Sequence, residues 1–116
     1  MSNILEKRSY RFALDMLSLL KPIKPNNIST VLIRQVIRSS TSVGANITEA
    51  KAGSSKKDFI NFYHHALKSA NETKYWLSLL RDSGLSDKKN TNRLQDEINQ
   101  LSKILGKSII TMKTRV

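Results

Sequence analysis

RQVIRSSTSVGANITEAKAGSSKKDFINFYHHALKSANETKYWL, residues 34–77, carries an apolar stripe of helical period on each side of one glycine, and that arrangement sets the fold. Before the glycine, Ile33, Val36, Ile37, Ser40, Val43, Gly44 and Ile47 recur every three or four residues, the period of one helix face. The stripe predicts a helix that starts from an N-cap at Asn27 or Ser29 and runs to about Ala52. Gly53 suits the C′ position past a helix end, and Ser55 with Asp58 three residues later is a capping signal. Phe59, Phe62, Tyr63, Ala66, Ala70, Thr73, Leu77 and Leu80 then mark a helix over about 55–83, with Gly84 past its end. The two helices form a tight antiparallel hairpin.

Upstream, Lys21-Pro22-Ile23-Lys24-Pro25-Asn26-Asn27 holds both prolines. Each disfavours helical backbone at the residue before it and removes a donor, so the chain must turn there. Asn3 and Glu6 have capping-box spacing, and Tyr10, Ala13, Met16, Leu17 and Leu20 predict a first helix over about 3–21. Downstream, Ser86 reads as the cap of a last helix that fills the remaining chain. Its Leu94, Ile98, Leu101, Leu105, Ser108 and Met112 alternate by four and three, the heptad seam of a bundle. Four amphipathic helices on short connections bury their stripes most simply against each other. The expected fold is therefore all-α, an antiparallel up-down-up-down four-helix bundle with residues 1–116 as a single domain. Helices of about 25–28 residues are roughly 40 Å long, so the bundle is a rod with broad lateral faces.

With 116 residues, 39% of them hydrophobic and 25% charged, the chain fits one globular domain that folds without a metal or covalent staple. The absence of cysteine excludes a disulfide framework and a thiolate zinc site. No signal-peptide pattern opens the chain and no apolar run approaches the roughly 18 residues of a membrane span, so a cytoplasmic protein without a membrane partner is expected. Catalytic chemistry finds no support: there is no glycine-rich phosphate loop, no nucleophile elbow and no Glu-x-x-His pair. His64 and His65 point about 100° apart on a helix, a poor geometry for one metal. The expectation is no enzyme, no cofactor and no metal.

Charge is the strongest compositional signal. Twenty Lys and Arg stand against nine Asp and Glu, a formal +11, which points toward polyanionic partners. No acid occurs between Met16 and Thr48, nor between Ile98 and Val116. Lys7 with Arg11, Lys57 with Lys68 and His64, and Lys103 with Lys107 share helix faces, and Arg34 and Lys113 lie in or beside the acid-free stretches. These eight cations are the candidate nucleic-acid contacts, for RNA or DNA. The alternative is that they keep solvated faces soluble. Sequence-specific readout has no motif behind it. Tyr75 and Trp76 fit the bundle end or a subunit contact, and base stacking would require their exposure.

The predicted second helix also carries Gln35, Ser39, Ser42, Asn46 and Glu49 on one flank, spaced four, three, four and three. Folding the hairpin at Gly53-Ser54 brings Arg38 near Ser69, lets Arg38 or Gln35 reach Glu72, and sets Asn46 level with Asn61 and Glu49 with Asp58 or Lys57. Two readings stay open. Small residues at Ser39, Ser42, Ala45 and Ser69 allow close approach while Arg38, Asn46 and Glu72 fix register or a subunit contact, or the flank is merely solvated, its hydroxyls bonded to the preceding turn.

These residues resemble the bacterial four-helix-bundle family encoded by intervening sequences within 23S rRNA genes. The resemblance rests on Gln35, Arg38, Ser42, Val43, Asn46, Ile47 and Glu49, then Phe59, Ile60, Phe62, Ala66, Ser69 and Glu72. Ala50 departs from the family's usual glycine, which leaves the backbone there more regular and moves the turn later, to Gly53. The resemblance implies a cytoplasmic homo-oligomer, a ring-like pentamer, without enzymatic activity and with a role around ribosomal RNA. A related group serves diversity-generating retroelements, where a basic pentameric bundle binds nucleic acid and a reverse transcriptase. The competing function is a structural or protein-binding oligomeric scaffold that binds no nucleic acid.

Overall fold

The computed structural model describes residues 2–115, with side chains over 4–115, as four helices: α1 (Ser2–Leu20), α2 (Asn27–Ala52), α3 (Lys56–Asp82) and α4 (Lys88–Thr114). No strand occurs among the described residues. Each helix packs against its chain neighbours and α1 also packs against α4, while the diagonal pairs stay apart, the topology of an up-down-up-down bundle. The rod measures 50 × 22 × 20 Å.

Helix ends follow local chemistry, with corrections of a residue or so. The N-cap of α2 is Asn26 and not Asn27 or Ser29: its Oδ1 accepts from the Ile28 and Ser29 amides, and Ser29 Oγ accepts from the Asn26 amide at 2.9 Å. Ser29 is the reciprocal half of that capping box, sealed by a 2.7 Å bond from its hydroxyl to Lys24 O. α4 is capped by Asp87, whose carboxylate accepts from the Asn90 amide, while Ser86 instead bonds Thr91 Oγ1 at 2.7 Å. α1 begins at Ser2, which places Asn3 inside the helix; the Asn3 side chain lies outside the described residues, and Glu6 pairs with Lys51 at 2.8 Å.

Ser55 caps α3, accepting from the Asp58 amide. At the far end of α3, Leu85 N bonds Leu80 O and Gly84 N bonds Arg81 O, a Schellman closure that needs the positive φ (80°) of Gly84. α2 runs regularly through Ala50 and ends at Gly53, but as an extended C-cap (φ −65°) and not in the left-handed conformation of a C′ glycine. Proximity favours glycine there: a Cβ would sit 3.1 Å from Ala50 O and 3.3 Å from the Asp58 Cβ, tight enough that a neighbour would have to shift by a few tenths of an ångström.

The core runs the length of the rod, with Phe12, Met16, Val36, Val43, Ile47, Leu77, Leu80, Ile98, Leu101 and Leu105 sealed from solvent. On α1 the inward stripe is Leu5, Ser9, Phe12, Met16 and Leu19-Leu20. Tyr10 (67% exposed) and Leu17 (38%), expected inside, lie on a second stripe rotated off the core. Near the end of α4, Ile109 takes the buried place expected of Ser108, because a straight helix of 3.6 residues per turn drifts off a strict heptad. α1 closes the ring on both flanks. Gly44 of α2 lets Ser9 approach, with its would-be Cβ 3.2 Å from Ser9 Oγ, and Arg8 forks onto Glu97 (2.7 and 3.1 Å) and Gln100 (2.9 Å) of α4. No buried side-chain polar atom among the described residues lacks a partner.

Candidate assembly seam and basic faces

Small side chains let α2 and α3 come close, and hydroxyls fill the gap. Thr73 Oγ1 lies 3.0 Å from the buried Ser39 Oγ and 2.8 Å from the half-buried Ser69 O, and its single proton serves one acceptor at a time. Level with this pair, Arg38 binds Glu72 Oε2 across the helices and Gln35 Oε1 at 2.9 Å along its own. Trp76 Nε1 donates to the same Glu72 oxygen at 2.9 Å. The indole N–H and then the guanidinium hold the Glu72 carboxyl below the usual carboxylate range, outweighing the opposing effect of partial burial. The side chains of Arg38 and Glu72 remain 54% and 34% exposed.

The rest of the seam does not cross between helices. Ser42 Oγ donates to Arg38 O at 2.6 Å and Asn46 Nδ2 to Ser42 O at 2.8 Å, both within α2, so Asn46 does not bridge to Asn61. A helical Asn reaches its own preceding turn more readily than a neighbouring axis. Glu49 is exposed and has no hydrogen bond or ion pair among the described residues. The structure thus brings Gln35, Arg38, Ser39, Ser69, Glu72 and Thr73 together, and leaves Asn46 and Glu49 as local features of α2.

The seam continues into an apolar patch that the core stripes do not reveal. Ile28 and Val31 precede Gln35 and Arg38 with spacings of three, four and three, and Tyr75 and Leu79 follow Glu72 by three and seven. The pairing of 38 with 72 puts Val31 level with Leu79 and Gln35 with Tyr75. Val31 is 59% and Tyr75 60% exposed, with the Tyr75 ring edge-on to Trp76 at 5.1 Å. The signal was present in the sequence as a second period-3.6 stripe on α2, rotated away from Val36, Val43 and Ile47.

The eight candidate cations, Lys7, Arg11, Arg34, Lys57, Lys68, Lys103, Lys107 and Lys113, are all exposed, and they spread over four helices. Arg11 has a long ion pair with Asp15, 3.4 Å, and Lys68 lies near enough to Glu72 to help lower its pKa. A ninth cation joins them: Lys74 on α3 is lowered by partial burial and by the charge of Lys103, so these two approach across the α3–α4 flank. His64 and His65 are exposed, and no three His, Asp or Glu side chains among the described residues cluster as metal ligands. No helix is long and apolar enough to cross a membrane, again among the described residues.

A family model described as 23S rRNA-intervening sequence protein matches residues 2–107. Among solved structures, the chain is similar to a protein of unknown function from the S23 ribosomal protein family of Bacteroides thetaiotaomicron, at 35% identity and a TM-score of 0.85, over 93% of this chain and 96% of that one. No curated protein matches.

Proposed function

The chain belongs to the 23S rRNA-intervening sequence protein family, and from that premise we propose that it acts without catalysis, as a basic self-assembling scaffold that holds RNA or another nucleic acid. The observation that carries this reading is charge. A formal +11 is displayed on a 50 Å rod whose candidate cations are exposed on every helix, while five of the nine acids are occupied in ion pairs. Such a surface tracks phosphates along several sides and favours shape over sequence. Self-association, as a pentamer, uses the α2–α3 flank, where the exposed Ile28, Val31, Tyr75 and Leu79 lie along the helices to one side of the Arg38–Glu72 pair. An apolar patch beside a half-solvated ion pair is what a contact between copies desolvates. A reverse transcriptase is the protein partner if the chain serves a retroelement.

Binding to a structured RNA and to duplex DNA, followed by anisotropy across a salt series, tests the first part. Affinity should fall steeply with salt, and Lys103→Glu with Lys107→Glu should lower the slope of log K against log salt by about 1–2. An unchanged slope removes α4 from the interface, and no binding at low salt leaves the structural or protein-binding scaffold. For assembly, light scattering should give a multiple of 13.2 kDa that Val31→Glu with Tyr75→Glu dissociates without loss of helicity. Monomer alone at micromolar concentration overturns it.

A further inference from the structure

We propose that a groove at the α1 N-terminal end of the bundle binds a single-chain anionic amphiphile, a free long-chain carboxylate with its tail inside and its head at the rim. The groove arises from unequal helix lengths. Arg8 is fixed to Glu97 and Gln100, so antiparallel packing brings the start of α1 at Ser2 level with residues 103–106 of α4. α4 continues to Thr114, about 12 Å past the level of Ser2, the first described residue of α1. The resulting space is about 660 Å³, and its walls are Ile4, Leu5, Phe59, Tyr63, Ile104 and Met112. Phe59 packs on the buried Tyr63 with centroids 4.4 Å apart and planes tilted by 30°, which gives the groove an aromatic wall. The volume falls within the roughly 300–1,000 Å³ of small-molecule sites, short of the several turns an amphipathic peptide helix would need.

The rim selects the head group. Lys107 and Arg115 line the groove and have no acidic partner among the described residues, and Arg8 stands at its inner end. Glu97 is bound by Arg8 and Glu6 by Lys51, while Asp58, next to Phe59 in the chain, accepts from the Ser54 hydroxyl. The mouth is therefore cationic above an apolar interior, the complement of a carboxylate on an alkyl chain. A nucleobase fits less well, because the only uncharged polar side-chain groups on the lining are the hydroxyls of Tyr63, Ser108 and Thr111, with no amide or carboxylate for its polar edge.

Calorimetric titration of the 116-residue chain with decanoate, below its micellar range, tests the proposal, with decyltrimethylammonium and decyl maltoside as probes of the head group. Decanoate should bind once per chain, and Lys107→Glu with Arg115→Glu should weaken it about tenfold. Ile104→Trp, which fills the groove, should abolish binding while circular dichroism and the RNA salt slope stay unchanged. That unchanged slope separates this site from the nucleic-acid reading. Equal affinity for the three head groups, retained binding in Ile104→Trp, or tighter binding of uridine monophosphate than of decanoate would each overturn it. So would a change in oligomer size in Ile104→Trp with decanoate binding intact, which assigns the groove to a second copy of the chain.

Discussion

α2 and α3 meet differently from α1 and α4, although both are antiparallel pairs in one bundle. Between α2 and α3 the small side chains Ser39, Ala66, Ala70 and Thr73 are fully buried, and Thr73 and Ser39 meet through their hydroxyls. Between α1 and α4 the link is the half-exposed fork of Arg8 on Glu97 and Gln100, and beyond it the pair opens into the groove. A three-residue connection keeps the α2–α3 hairpin in register for most of its length. α1 and α4 are the two ends of the sequence, meet only after the whole bundle closes, and differ in length by 8 residues. Local connection permits close packing, while long-range closure leaves room that polar forks and ligands can use.

The comparison can be broken most directly in the core. Leu77→Ala, in the tightly filled half, should cost about 3–5 kcal/mol by chemical denaturation, whereas Leu5→Ala, which opens onto the groove, should cost no more than about 2. Equal costs would mean the two halves are packed alike. Next in size, Thr73→Val should destabilise by about 1–3 kcal/mol, because it leaves the Ser39 hydroxyl buried beside a methyl group. Arg8→Ala, by contrast, should cost about 1 kcal/mol or less, since the fork it removes is partly solvated.

A double-mutant cycle on Arg38 and Glu72 sharpens the seam itself. In a dilute, dissociated protein the coupling should be under about 1 kcal/mol, as for an exposed pair. If copies cover the seam, single removal in the assembled state should cost about 3–5 kcal/mol and make the melting temperature depend on protein concentration. Coupling near zero in both states would reduce the seam to a solvated flank.

The smallest expected effect is on pH. The folded Glu72 carboxyl lies below its unfolded value of about 4.3. Its contribution to stability is therefore complete above that value and disappears as the pH falls through the lower folded one. Trp76 is the sole tryptophan and shares that oxygen, so its emission should shift over the same acid range, and the shift should be missing in Glu72→Gln.

Where one local signal dominates, sequence and structure agree: the α2–α3 hairpin follows from its stripes with Gly53 and Ser55, and the close of α3 from Gly84. Where two signals compete, neighbouring residues do not decide between them. Asn26-Asn27-Ile28-Ser29 and Ser86-Asp87 each hold more than one side chain able to cap, and only the backbone path chose Asn26 and Asp87. On α1, Tyr10-Leu14-Leu17 and Leu5-Phe12-Met16-Leu19 are both helical stripes, and periodicity cannot rank them. The crossing from Arg38 to Glu72 was within reach of a register estimate, whereas the Asn46 crossing was not, because its own preceding turn competes.

By itself the sequence determined four amphipathic helices, their order, the short turns that make them antiparallel, and a surplus of positive charge. Those properties depend on neighbours within a few residues and on sums over the chain. Tertiary structure alone decided which of two stripes on α1 is inside, that the seam's ion pair stays half solvated beside an apolar patch, and that α4 outruns α1 to leave a cationic-rimmed groove. Each depends on where residues dozens apart in the chain come level, and helix rise and packing set that level only once all four helices are in place.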